Sequence, residues 1–289
     1  MPVLAEDCWI LSGPTASGKS AIAMRLAERF GAEIVSVDSM AVYRGLDIGT
    51  AKPPADDRRR VPHHLLDVVA PTEDYSVARW LADAADAVAD IRGRGRRILF
   101  VGGTPLFLRA LREGLAELPP ADPRLRESLS AEADARGSAA LHARLAAVDP
   151  AAAKRIHPND VKRIIRSLEV AALANAPQSV AFRPSPNPVF DARLLVIDRP
   201  RGWLHRAIDV RVERMFEDGL VEEARMAVAS GGIGRTASQA AGYAECIAVL
   251  EGRMTVAEAI DATKRRTRQL AKRQLTWLRS FQSAVWLAA

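Results

Sequence analysis

The chain has 289 residues, 48% of them hydrophobic, a formal net charge of +6 and two cysteines. This suits one large domain or a core with a smaller companion, and the charge favours a polyanionic partner. Cys8 and Cys246 lack C-x-x-C spacing, and no secretory signal or long apolar run is present, so disulfides, zinc and a membrane span are not expected, and a soluble, cytoplasmic protein is.

The first 115 residues alternate short β-like runs with helical patterns. Strands are expected at Trp9–Ser12, Glu33–Val37, Leu65–Val69 and Arg97–Val101, with helices over about 18–30 and 76–92. Such alternation predicts an α/β fold, a parallel sheet with helices on both faces. From 116 the chain becomes Ala-rich, charged and helical in spacing. A Pro-rich link, "PSPNPVFD", precedes a strand at Arg193–Ile197 and long helices over about 203–229 and 255–282. The organisation expected is a core of residues 1–115 and 193–289 interrupted by an all-helical insertion, 116–192.

After the first strand stands "GPTASGKS", Gly13, Pro14, Thr15, Ala16, Ser17, Gly18, Lys19 and Ser20. It fits G-x-x-x-x-G-K-[ST], a P-loop whose amides and following helix cradle phosphates. Lys19 would place a charge at the terminal phosphate and the Ser20 hydroxyl would bind magnesium, Mg2+. The next strand ends in Asp38, beside the P-loop in a parallel sheet. There it could hold magnesium, accept a proton from a nucleophile, or cap a helix. In "GLDIGTAKP", Thr50 and Lys52 could reach a substrate. His63 and His64, adjacent in an extended segment, point opposite ways and read as structural. "ILFVGGTPLFLRAL" ends its strand in Gly102, Gly103 and Thr104, where a Walker B strand ends in an acid. That turn suits holding a ligand better than activating water.

Two helices are basic. "HPNDVKRIIRSLEVAAL" is amphipathic, with Val161, Ile164, Ile165, Leu168 and Ala172 on one face and Lys162, Arg163 and Arg166 on the other. "TKRRTRQLAKRQLTWLRSF" carries Lys264, Arg265, Arg266, Arg268, Lys272, Arg273 and Arg279 without an acid among them. That is the footprint of a phosphate backbone, or of residues reaching a diphosphate at the P-loop. In "LHRAIDVRVERMFEDGLVEEARMAV" the apolar face packs, Gly219-Leu220 marks a stop, and His205, Arg206 or Arg211 could face the cleft.

These stretches, together with "PHHLLD" and "TASQAAGYAE", resemble the tRNA dimethylallyltransferase (tRNA isopentenyltransferase) family, in family order and over nearly the whole chain. The resemblance implies a P-loop NTPase-like fold with a helical insertion. It implies transfer of a dimethylallyl group from dimethylallyl pyrophosphate to the exocyclic amine of the adenosine 3′ of the anticodon. Asp38 would be the base, with Lys19 and Thr104 as further catalytic groups and the P-loop holding pyrophosphate. Asp38, Ser39, Met40, Ala41 and Thr104 would receive the flipped adenosine. Lys162, Arg163, Ile164, Ile165 and Arg166, with Lys264, Arg265, Arg266 and Arg268, would contact tRNA. A monomer suffices. The chain departs from the family pattern in Ala41, where Gln is usual, and in Pro105-Leu106-Phe107, where Gly-Leu-Tyr is frequent; its tail after Trp286 is short. The competing readings are an adenylate isopentenyltransferase acting on free nucleotide, a P-loop small-molecule kinase, and a nucleic-acid-binding NTPase.

Overall fold

A computed structural model describes residues 3–116, 118–181 and 190–288. They fall into two compact units, Met1–Arg112 with Pro188–Ala289, and Glu113–Asn187. The Pro-rich link lies almost wholly outside the described residues.

In the first unit, β1 (Val3–Ser12), β2 (Ala32–Val37), β3 (His63–His64), β4 (Arg97–Gly102), β5 (Phe190–Asp198) and β6 (Val285–Ala288) form a sheet in the order β3-β2-β4-β1-β5-β6. Every pairing is parallel. The helices are α1 (Lys19–Phe30), α2 (Ala55–Arg60), α3 (Val77–Gly93) and α4 (Pro105–Glu113), which ends at the boundary between the units. Side chains alternate across the sheet. Leu11, Ile34, Leu99 and Ile197 pack on one face with Ala23, Met24 and Ala27 of α1. Ile10, Val35, Phe100 and Val196 pack on the other with Trp80 of α3 and Phe107 of α4. Helices therefore cover both faces, as a fully buried parallel sheet requires.

The strand expected at Leu65–Val69 is shifted to the two histidines, which pair with Ile34 and Val35. Leu65 and Asp67 adopt positive φ (62° and 58°), which no strand accommodates. The Asp67 carboxylate is drawn instead to Lys52 Nζ at 2.6 Å and Arg58 Nη1 at 2.7 Å. Past the insertion follow α10 (Arg201–Glu217), α11 (Leu220–Ala229), α12 (Tyr243–Leu250) and α13 (Val256–Leu278). The helix expected over 203–229 is divided at Gly219, whose φ of 100° permits the turn.

The second unit contains α5 (Pro123–Arg136), α6 (Ser138–Val148), α7 (Pro150–Arg155), α8 (Val161–Ala174) and α9 (Gln178–Ala181). Leu129, Leu141, Leu145, Ile164 and Leu168 form its core. Beside that core Glu169 is fully buried, accepting bonds from Arg126, Arg166 and the Asp122 N–H. Burial raises its pKa, but the arginine hydrogen bonds outweigh that and hold it below the usual carboxylate range. Stability from this group is therefore present at neutral pH and lost as pH falls through its folded pKa. Glu169→Gln should cost roughly 2–3 kcal/mol in urea unfolding at pH 7, below the full value for a buried pair because both arginines keep solvent contact. The gap to the parent protein should narrow in acid.

Candidate active site at the carboxyl end of the sheet

The loop between β1 and α1 turns at Gly18, whose φ of 87° is left-handed, and α1 begins at Lys19. The helix N-terminus and its free amides thus face the space beyond the strands. Ser17 is fully buried, yet its Oγ has no hydrogen-bond partner among the described residues. A buried hydroxyl in that state lacks an oxygen the folded chain does not supply.

Three charged groups converge on this loop. Burial, and next the Arg211 charge, lower the Lys19 pKa to about 8, while Asp38 acts in the opposite direction. Burial likewise lowers Arg211, and Asp38 again opposes. Arg211 comes from α10 and places Nη1 3.4 Å from Thr15 Oγ1. Arg199, just past β5, lies 4.5 Å over the Trp203 ring and points Nε at the Ser17 carbonyl at 3.4 Å.

Asp38 leaves the end of β2. Its Oδ1 accepts the Met40 N–H at 2.8 Å, so it caps a local turn, and no helix follows. Thr104 stands next to it from the end of β4. Its Oγ1 accepts the Ser39 N–H at 3.0 Å, and its own N–H donates to the Val37 carbonyl. That closeness explains Gly102: a Cβ there would stand 2.2 Å from the Val37 oxygen. Asp38, Ser39, Thr104 and the P-loop are thus brought together. Met40 packs partly against the core and Ala41 is buried, so neither side chain stands free in the cleft.

Beside Arg211 opens a cleft of about 730 Å³, with Ile48, Ala51, Trp203, Val210 and Met215 in its lining. One wall is the loop 46–52, anchored from outside by Glu223. That carboxylate accepts the N–H groups of Asp47, Ile48 and Gly49 at 2.7, 2.7 and 3.1 Å, and the Tyr243 hydroxyl at 2.6 Å. Thr50 and Lys52, read as groups that could reach a substrate, are engaged within the chain, although Lys52 also lines the cleft. Thr50 Oγ1 donates to the Leu46 carbonyl, and Lys52 Nζ is held by Tyr43 O, Asp47 and Asp67 in a side chain 1% exposed. His63 and His64 prove structural: Nδ1 of the first meets Val61 O, and Nε2 of the second meets Glu33 at 2.7 Å.

The basic helices are less open than their sequence reads. On α13, Lys264 pairs with Glu213, Arg266 with Glu245 and Arg268 with Asp209. The compensating acids come from α10 and α12. Arg265, Lys272 and Arg273 lie exposed, with no ion pair among the described residues. On α8, Ile164 is fully buried and Ile165 packs against the same core, so neither presents its side chain on the outer face. Arg166 is committed to Glu169 and the Pro119 carbonyl. Lys162 and Arg163 face outward.

With this geometry in hand, the chain was compared with known proteins. The family model for IPP transferase matches residues 41–281, and the model for isopentenyl transferase matches residues 6–66. The chain belongs to the IPP transferase family. The tRNA dimethylallyltransferase of Anaeromyxobacter dehalogenans strain 2CP-C is 51% identical over 96% of this chain and 94% of that protein. The one from Myxococcus xanthus is 46% identical, covering 96% and 91%. The crystal structure of the full-length tRNA isopentenylpyrophosphate transferase of Bacillus halodurans has a TM-score of 0.68 and 38% identity, covering 98% of this chain and 90% of that one. A eukaryotic dimethylallyltransferase acting on tRNA superposes with a TM-score of 0.82 at 26% identity, covering 98% and 74%.

Residue patterns alone had not singled out Arg199, Glu223 or Gln274 in this IPP transferase family member. Gln274 interrupts the inward stripe Thr267, Ala271, Leu278 of α13, and a long amide among small and apolar residues is the signal that could have found it. Glu223 carries no local signal, because the loop amides it holds lie far away in the chain, and the contact of Arg199 with the phosphate loop is equally remote. The Lys19 pKa supplies a pH dependence. An anion bound beside it favours its charged form, so affinity for inorganic pyrophosphate should weaken as pH rises through about 8. Titration calorimetry across that range checks this, and Lys19→Arg, which keeps its charge, should flatten the inflection.

Proposed function

We propose that this family member transfers a dimethylallyl group from dimethylallyl pyrophosphate to the exocyclic amine of the adenosine 3′ of the anticodon. The tRNAs concerned read codons that start with U, and the product is isopentenyladenosine. The observation that carries the reading is one carboxylate, Asp38, placed with two cations, Lys19 and Arg211, at a phosphate loop whose neighbouring strand ends in Gly-Gly-Thr. The names of the relatives, tRNA dimethylallyltransferases, support the substrate class.

In the proposed reaction the bond between the allylic carbon and the pyrophosphate oxygen breaks, and its electron pair leaves with pyrophosphate. A carbon–nitrogen bond forms, and the amine gives one proton to Asp38. The loop amides, Lys19 and Arg211 hold the negative charge that develops on the leaving group. Asp38 Oδ1 already takes the Met40 N–H, which leaves Oδ2 to receive the proton. An adenine amine is a weak nucleophile because its lone pair is spread into the ring, so removing the proton as the bond forms matters for the rate.

Among the described residues no cluster of His, Cys, Asp and Glu could hold a metal. The exposed Ser20 hydroxyl at the start of α1 still suits magnesium, which is commonly held by few protein oxygens together with substrate phosphates and water. Bound there, the ion would add positive charge against the leaving pyrophosphate. The exposed cations Arg265, Lys272 and Arg273 of α13, and Lys162 and Arg163 of the helical unit, are the proposed tRNA contacts. All these groups come from one chain, which is the basis for proposing that a monomer acts; the tRNA substrate is the basis for proposing that it does so in the cytoplasm.

Labelled dimethylallyl pyrophosphate, magnesium and unmodified tRNA should yield labelled tRNA, and AMP offered instead should stay unlabelled. Label passing efficiently to AMP would reverse the assignment of acceptor. Asp38→Asn should lower kcat by about 100- to 10,000-fold with tRNA affinity retained. Near-parent turnover would remove Asp38 as the base. Replacing Arg265 and Lys272 together with Ala should weaken tRNA binding and lower the slope of log affinity against log salt by roughly one to two. An unchanged slope would place those residues off the RNA path.

A further inference from the structure

Of the polar side chains in the core, one spans the site without belonging to it. The inward face of α13 carries Thr263, Thr267, Ala271, Gln274 and Leu278, and Gln274 is 7% exposed. Its Oε1 accepts the Thr15 N–H at 2.8 Å, and its Nε2 donates to the Gly103 carbonyl at 2.9 Å. One amide therefore joins the phosphate loop after β1 to the Gly-Gly-Thr turn after β4. The fit has no slack: a Cβ on Gly103 would stand 2.8 Å from Gln274 Nε2 and 2.9 Å from the Gly13 carbonyl.

A glutamine is a poor choice for filling space here. Ordering and drying its amide opposes folding unless both ends are bonded, whereas Leu or Met would fill the volume without that demand. What the amide adds is a fixed distance between two backbones. Thr15 belongs to the loop that meets Arg211, and Gly103 leads into Thr104, which fixes Ser39 next to Asp38. The outward face of the same helix carries the exposed Arg265, Lys272 and Arg273.

We propose that Gln274 is a positioning residue for prenyl transfer: it sets the distance between the loop that holds the donor phosphates and the turn that holds the acceptor base, and it links both to the RNA-facing helix. The proposal rests on the transferase reading above. Gln274 acts through Thr15 and Gly103, and its effect on rate comes from the separation of the reacting atoms, where an error of about 1 Å can cost about 100-fold.

Gln274→Glu separates this role from simple packing, because it keeps the shape and alters only the donor. As a carboxylate it turns an oxygen toward the Gly103 carbonyl; protonated, it regains an O–H donor. Burial raises the pKa of such a carboxyl and the charges of Arg211 and Lys19 at the same loop lower it, so the pH profile is followed over the whole range from about 5.5 to 9. With saturating labelled donor and tRNA, kcat relative to the parent at the same pH should fall by about 100-fold near pH 8.5 and recover to within about threefold near pH 6. The KM for tRNA should change by less than about threefold, since the outward face of α13 is untouched.

A relative kcat near one at every pH overturns the proposal, as does a deficit that ignores pH or that falls on tRNA binding. Should Gln274→Glu not fold, Gln274→Met fills the same volume without either hydrogen bond. Lost kcat with retained tRNA affinity supports the proposal, and parent-like kcat overturns it. A parent protein that transfers no label fails the transferase reading itself; an active parent with equally active variants fails only the role of Gln274.

Discussion

Lys19 and Arg211 lie half-buried at the phosphate loop, and Asp38 is the acid that acts on both. Two cations so placed repel, and desolvation opposes the charge on each. The arrangement costs stability in the free protein and becomes favourable when an anion arrives. Much of the surrounding architecture can be understood from this one imbalance. The left-handed turn at Gly18 aims helix amides into the same space, and Arg199 adds a second guanidinium at the loop. A site with this sign favours a polyanion, and it stabilises charge that grows on one.

The parallel sheet makes that concentration possible. β1, β2, β4 and β5 end on the same side, so the P-loop, Asp38, Thr104 and Arg199 arrive together although they are spread over 187 residues, from Gly13 to Arg199. A Cβ at Gly102 would collide with the Val37 carbonyl, which shows how closely the ends of β2 and β4 approach. The opposite requirements of donor and acceptor are divided between neighbouring strand ends. Cations collect at β1 and β5, and the carboxylate with its hydroxyl partner collects at β2 and β4.

Most of this frame was legible in the residue order. The phosphate loop, the acid ending β2 and the Gly-Gly-Thr turn are local patterns, and local backbone chemistry places them where a parallel sheet needs them. The strand expected at 65–69 was misplaced because Leu65 and Asp67 take left-handed conformations, with Asp67 held by Lys52 and Arg58 from elsewhere. The basicity of α13 was overread for a similar reason. Glu213, Glu245 and Asp209 are distant in sequence, and only folding shows that they neutralise three of its cations. Glu223 leaves no trace in the residue order, because the loop amides it holds are remote in the chain.

Glu223 also bears on how the cleft meets its ligand. Its carboxylate gathers three consecutive amides of the loop 46–52, and the Tyr243 hydroxyl closes the fourth bond. Fixing the backbone of a mobile residue costs about 1–2 kcal/mol in conformational entropy, so ordering several residues on binding would consume much of the affinity of a small donor. Here that ordering is completed during folding, by an acid that does not itself line the cleft. That wall of the cleft is therefore held in one shape by the folded chain itself, and a ligand entering there would draw on solvent release and charge pairing more than on any change of loop shape.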